Sequence, residues 1–264
     1  MTRPGLAEQQ RAATALCMGA APSEAQLAPF GDPRIWALYR EMIQNRLRSE
    51  LKVALRRSCD ALGETADGSG LERVFARWLS DDPPRSRPFH GIVEDFARFA
   101  IGFVRSDALL PVWSADLLAY EAALWAVSDM DDRAPAVQEL SFDAAPCFAP
   151  ARRLVSLQHA VHDAPEPDGS FKAGEVCVCV YRRAEDKAAR TFVLNPTLRA
   201  LMLALDGEAS SSNAADCVAA LTLTQAVQRV AAERKLRVDE KFIDGLCTVL
   251  ADFSERGLLL GSKA

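Results

Sequence analysis

The chain has 264 residues, 49% of them hydrophobic, which is enough for one large domain or two ordinary ones without covalent staples. Its net charge of −5 argues against a surface that grips nucleic acid as a whole, though not against one basic patch. Seven cysteines with no CxxC pair, and only three histidines, exclude a zinc site of standard spacing. Such thiols fit a reducing, cytoplasmic setting. The small-residue run at 12–21, behind Glu8 and Arg11, makes a poor signal peptide, and no apolar run approaches a membrane span.

Residues 5–19 read as a short helix, and the Pro- and Gly-edged stretch 20–33 as a connector. From 34 to 62 apolar residues recur at steps of three and four: Ile35, Leu38, Tyr39, Met42, Ile43, Leu47, Leu51, Ala54, Leu55, Cys59 and Leu62. With no internal Gly or Pro, the spacing predicts one unbroken helix, the spine of a bundle. Its other face carries Arg34, Arg40, Arg46, Arg48, Lys52, Arg56 and Arg57 against only Glu41 and Glu50. That excess suggests an anionic partner, or simply a solvated face.

After a loop at 63–70, residues 71–80 read as an amphipathic helix. Three prolines force 81–90 into an extended crossing. Helices follow at 91–104 and, beyond a turn at Pro111, up to 130. Asp116 and Glu121 on this last helix fall on different faces, so they are not a paired-carboxylate catalytic site. The run DMDDRAP lacks the Gly and Glu that a calcium loop needs, having Ala134 and Leu140 there. Residues 133–152 have no strong period, and the domain boundary is placed there: a helical domain at 1–145 and a second domain at 151–264.

Beyond it the period changes to two. Strands are expected at 151–163, 175–183 and 190–196, then helices at 196–208, 212–236 (one or two) and 238–257, then a short strand at 258–261. The expected fold is therefore α+β: an all-helical bundle, then a winged-helix-like unit of three strands and three helices. A three-stranded sheet has exposed edges that an extended peptide can join through main-chain hydrogen bonds. The candidate peptide-binding residues are Val178, Val180, Arg182, Arg183, Arg190, Phe192, Val193 and Leu194. The arginines flanking the hairpin suit an acidic peptide or a phosphate backbone, or are merely solvated.

No nucleophile–base arrangement and no phosphate loop can be assembled, so the chain reads as catalytically empty and free of any cofactor of its own. His159 and His162 would point to opposite faces of a strand, and His90 reads as a loop residue. Cys177 and Cys179 share one strand face. They read as packing residues, with a cysteine nucleophile as a competing enzyme hypothesis. A DNA-binding regulator is the other alternative. The Ala/Leu-rich helices over 196–236, poor in Arg and Lys for recognition, lower it.

The chain also resembles the HvfC/BufC-like family, whose N-terminal part carries a DNA-binding label. The motifs in order are GLAEQQRAATAL, Tyr39-Arg40 followed by Leu47, Leu51 and Leu55, DDPPRSRPF, DFARFAIGF, and LLPVWSADLLAYEAAL with Asp116 and Tyr120-Glu121. VCVYRR and TFVLNPTLRALMLALDGE extend the resemblance to nearly the whole chain. It departs at Glu41-Met42, where the family has two asparagines, and near Ser58-Cys59, where it has Phe-Pro. It is thus similar to a divergent branch such as the TglI-like proteins, which act in 3-thiaglutamate formation. The resemblance implies a non-catalytic partner of a multinuclear non-heme iron oxidative enzyme. The iron would sit in that enzyme. This chain would bring in a ribosomally made precursor peptide whose cysteine is modified, docking on the enzyme through Tyr39, Arg40, Asp116, Tyr120 and Glu121.

Overall fold

The computed structural model describes residues 15–19, 32–65, 67–84, 89–133, 135–206 and 221–263. Residues 5–14 of the helix expected over 5–19, residues 20–31 of the connector expected over 20–33, residues 85–88 of the proline crossing and the start of the 212–236 helix lie outside the described residues, as do the side chains of Phe89 and His90. The fold is mixed α+β: helices first, then strands and C-terminal helices. In chain order the elements are α1 (Pro33–Ala54), α2 (Arg56–Gly63), α3 (Gly70–Asp81), α4 (Phe89–Ser106), α5 (Trp113–Asp129), β1 (Val137–Gln138), β2 (Pro146–Phe148), β3 (Arg152–His159), β4 (Ala173–Arg182), β5 (Ala189–Leu194), α6 (Pro196–Asp206), α7 (Leu223–Arg234), α8 (Glu240–Glu255) and β6 (Leu259–Lys263).

The chain divides into two compact units, and not by a single cut. The first holds residues up to Trp125 together with Val161–Lys172; the second holds Ala126–Ala160 and Ala173–Ala264. The strand expected over 151–163 ends at His159, and the excursion from there to β4 belongs to the helical unit. Arg57 holds it there, donating to the carbonyls of Val161 (2.9 Å) and Asp163 (3.3 Å). Phe171 completes the contact, lying under the Arg57 guanidinium and edge-on to Trp113 at 5.0 Å.

The long helix expected over 34–62 is broken. Leu55 sits at φ −124°, ψ 50°, ending α1, and α2 restarts at Arg56. No glycine or proline causes this. The restart exposes fresh N-terminal amides, and the carboxylate of Glu121 on α5 accepts from three donors there: Arg57 N–H (3.1 Å), Ser58 N–H (2.8 Å) and Ser58 O–H (2.7 Å). A carboxylate from another helix thus caps α2.

Nor is α1 the spine. Only Leu47 and Leu51 of α1 are buried, whereas α5 is apolar nearly all round and buries Ala115, Leu117, Leu118, Tyr120, Ala123, Ala126 and Val127. The core of the helical unit joins Leu47, Leu51 and Leu55 to Leu62, Phe75, Trp78, Val93, Phe96 and Leu118. Trp78 is its aromatic centre, edge-on to Phe75 at 5.9 Å and to Phe96 at 5.1 Å.

In the second unit β3, β4 and β5 form an antiparallel meander. Cys177, Cys179 and Tyr181 on β4, with Leu194 on β5, face a core completed by α6, α7, α8 and the 258–259 segment. The stretch 137–148 is not structureless: β1 and β2 flank β6 in a second small sheet. Gly261 permits that pairing. Its φ is +138°, and a Cβ there would stand 2.3 Å from the Gln138 carbonyl oxygen. Helix termini follow local chemistry: Asp32 caps α1, Thr222 and Gln225 form a reciprocal capping box on α7, and Asp239 caps α8. No helix among the described residues is long and apolar enough to cross a membrane.

Candidate functional site

The open edge of β5 and the helix α8 beside it make the strongest site in the second unit. β5 lies at the end of its sheet, paired with β4 alone among the described strands. The ladder's phase decides which amides are free. Arg183 N–H donates to Ala188 O at 3.1 Å, and the pairing runs on as Arg182↔Ala189 to Val178↔Val193. Hydrogen-bonded and non-hydrogen-bonded pairs alternate in an antiparallel ladder. Val193 therefore falls in a non-hydrogen-bonded pair, with its N–H and C=O directed away from β4. Its side chain is 49% exposed.

α8 closes the other side. Phe192 packs edge-on against Phe253 at 4.7 Å, and the Arg256 guanidinium stands 5.1 Å from the Phe192 ring. At the start of α8 an apolar cleft of about 380 Å³ opens between α6, α7 and α8. Leu198, Leu201, Val227 and Leu246 line it, with Asn195, Thr197 and Lys241 as its polar residues. Near the end of α8 lies a polar hollow of about 540 Å³, lined by Arg183, Arg190, Thr191, Asp252, Glu255 and Arg256. Tyr181 also lines it, donating its hydroxyl to the Arg256 carbonyl at 3.1 Å; burial pushes that phenol up, so it stays a protonated donor.

The other sequence candidates separate. Val178 and Val180 are fully buried and Leu194 nearly so, so their side chains are not open to a peptide. The reason is that β4 is the central strand, covered on both faces. Arg182 is bound internally: it donates to the carbonyls of Ser128 and Met130 at the end of α5 and pairs with Asp132 at 3.4 Å. Lys187 reaches the same Asp132 at 2.5 Å, and this contact holds the Asp132 carboxyl below its ordinary range. Arg183 pairs with Glu185 and Arg190 with Asp186 at 2.6 Å. Arg190 is half-exposed, so its ion pair is an exchangeable surface contact.

The residues expected to dock on a partner do not share a surface. Asp116, Tyr120 and Glu121 are all buried within this chain. Arg40 donates to the Leu16 carbonyl at 2.8 Å. Tyr39 alone of the five is exposed. The basic face of α1 and α2 is likewise partly internal, since Arg48 pairs with Glu72 at 3.0 Å and covers the Phe75 ring.

The period of α8 assigns Phe242, Ile243 and Val249 alike to the core. Phe242 and Val249 pack against it, partly buried, and also line the cleft, whereas Ile243 is exposed. One signal was present. Gly245 sits mid-helix, where glycine costs about 1 kcal/mol against alanine, yet a Cβ there would meet nothing within 4 Å. Packing does not demand that glycine, and it lines the cleft.

Of the described cysteines only Cys247 is exposed. Burial pushes the Cys177 thiol up, the reverse of what a nucleophilic thiolate needs. Among the described residues no group of three His, Cys, Asp or Glu side chains could hold a metal ion. Comparison of the chain with protein-family models and with curated proteins found no match.

Proposed function

We propose that this chain is a non-catalytic partner subunit that captures a ribosomally made precursor peptide as an added strand on β5. It presents the peptide's cysteine to a multinuclear non-heme iron oxidative enzyme in the cytoplasm, with the iron held by that enzyme. The observation that carries the peptide half is the outward-facing main chain of Val193, set between an apolar cleft and an arginine-bearing hollow along α8. Main-chain bonds supply affinity in strand addition, and pockets along the groove supply selectivity. The ordered motifs that resemble the HvfC/BufC-like proteins support the enzyme half, and a TglI-like role in 3-thiaglutamate formation is its most specific form.

The test is a titration of a fluorescent precursor peptide onto wild type and Val193→Pro, alongside duplex DNA across a salt series. Proline removes one outward amide and should weaken peptide binding by about tenfold, the value of one main-chain hydrogen bond. Equal affinity in a folded variant would remove β5 as the docking strand. Duplex binding that falls steeply with salt, without peptide binding, would overturn the proposal in favour of a DNA-binding regulator.

A further inference from the structure

Helix α1 carries two apolar faces, and only one belongs to the core. Leu47 and Leu51 are buried. Ile35, Leu38, Tyr39 and Met42 are each more than half exposed. At 100° per residue these four lie within about 100° of arc, centred roughly 150° round the helix from Leu47 and Leu51. The exposed set is therefore a separate stripe rather than the ragged border of the core face. Val53, about five turns beyond Ile35 and also exposed, lies on the same line. The Trp36 ring braces the stripe, edge-on to Tyr39 at 6.0 Å. Single exposed apolar residues are ordinary on any surface, whereas a contiguous stripe marks an interaction site.

Charge argues against a second copy as the occupant. Arg34 stands at one end of the four residues, and Arg46, one turn beyond Met42, continues their line at the other. Arg46 is 81% exposed, and its 3.3 Å pair with Glu50 is a surface contact that a competing acid can replace. Two copies of the stripe laid together would set arginine against arginine in either direction.

We propose that this stripe of α1 docks into an apolar groove, acidic at its ends, on the iron enzyme. The inference rests on the proposed function, and it moves the enzyme-docking surface from the buried Asp116, Tyr120 and Glu121 to Ile35, Leu38, Tyr39, Met42 and Arg46. The groove on the partner receives a helix by its i, i+3, i+4, i+7 anchors, with carboxylates meeting Arg34 and Arg46.

The experiment co-expresses the full chain with the iron enzyme and measures complex formation by size-exclusion chromatography and titration, using wild type, Leu38→Glu/Met42→Glu and Arg46→Glu. Both substituted surfaces are exposed, so thermal melting and peptide affinity should match wild type. The double variant should lose at least tenfold in enzyme affinity, and Arg46→Glu several-fold, more at low salt. If wild type and the double variant bind the enzyme equally, the stripe is overturned while the partner role stands. If wild type forms no complex, the partner role fails and the inference falls with it. A wild-type dimer that the double variant abolishes would assign the stripe to a second copy. Cosedimentation of wild type, but not the variant, with phosphatidylserine vesicles would assign it to a membrane; either result overturns the inference.

Discussion

The polar groups that decide the reading differ between the two units of the chain. In the helical unit several conspicuous side chains turn inward: Glu121 caps α2, Arg57 holds the Val161 and Asp163 carbonyls, and Arg48 covers Phe75. In the strand-bearing unit the informative groups are main-chain ones, and at Val193 they turn outward. A side chain that looks ready for a partner can be satisfied by its own fold. An edge amide pointing away from its sheet is left to solvent or to an added strand.

The sharpest way to break that contrast is to put proline on a central and an edge strand. Arg182 N–H donates to Ala151 O at 2.8 Å, so the same alternation directs the Val178 amide into the β3–β4 ladder. Val178→Pro should cost at least about 3 kcal/mol in urea unfolding, whereas Val193→Pro, on the open edge, should stay within about 1 kcal/mol of wild type. Similar losses at both positions would mean that the β5 edge is not free.

Next in size is Glu121→Ala. Three donors at the start of α2 lose their acceptor inside the fold, so stability should drop by about 3 kcal/mol while peptide affinity of the folded protein is unchanged. A docking carboxylate would show the reverse: intact stability and lost enzyme binding.

Smaller effects test the thiols. In native protein Cys247 should react with a thiol reagent at once, while Cys59, Cys147, Cys177 and Cys179 should react only on unfolding. Rapid labelling of Cys177 would reopen the nucleophile hypothesis. Burial first, with the Glu121 and Asp60 charges adding, pushes the Cys59 thiol up to about 12 from an ordinary 9.0. The unfolded thiol then ionises before the folded one. Its contribution to stability is complete below pH 9 and is lost as pH rises toward 12. Urea midpoints of Cys59→Ala should decline less steeply over that range than those of wild type.

Much of the fold was legible. The change from a helical period to alternation at about 151, the strand at 175–183, and the order of three strands then three helices all follow from residue periodicity, and all appear in the structure. The sheet built from β1, β2 and β6 was not legible beyond its last strand. Two- and three-residue strands carry no period, and their partners are more than a hundred residues apart. The site was half legible. Val193 and Arg190 follow from strand alternation and lie on the edge strand β5, whereas the cleft along α8 depends on three helices meeting.

The helix at 34–62 shows where the limit lies. Its apolar residues 35, 39, 43, 47, 51, 55 and 59 advance by fours, and each step of four overshoots a turn by about 40°. A face drawn through all of them spirals round the helix, so it cannot meet one core along its whole length. Sequence alone determined that these turns are helical and apolar, because spacing and the absence of breakers are local properties. Which turns face the interior, where Leu55 breaks the helix, and that Glu121 waits at the break were decided by tertiary structure, because each depends on what α5 places opposite.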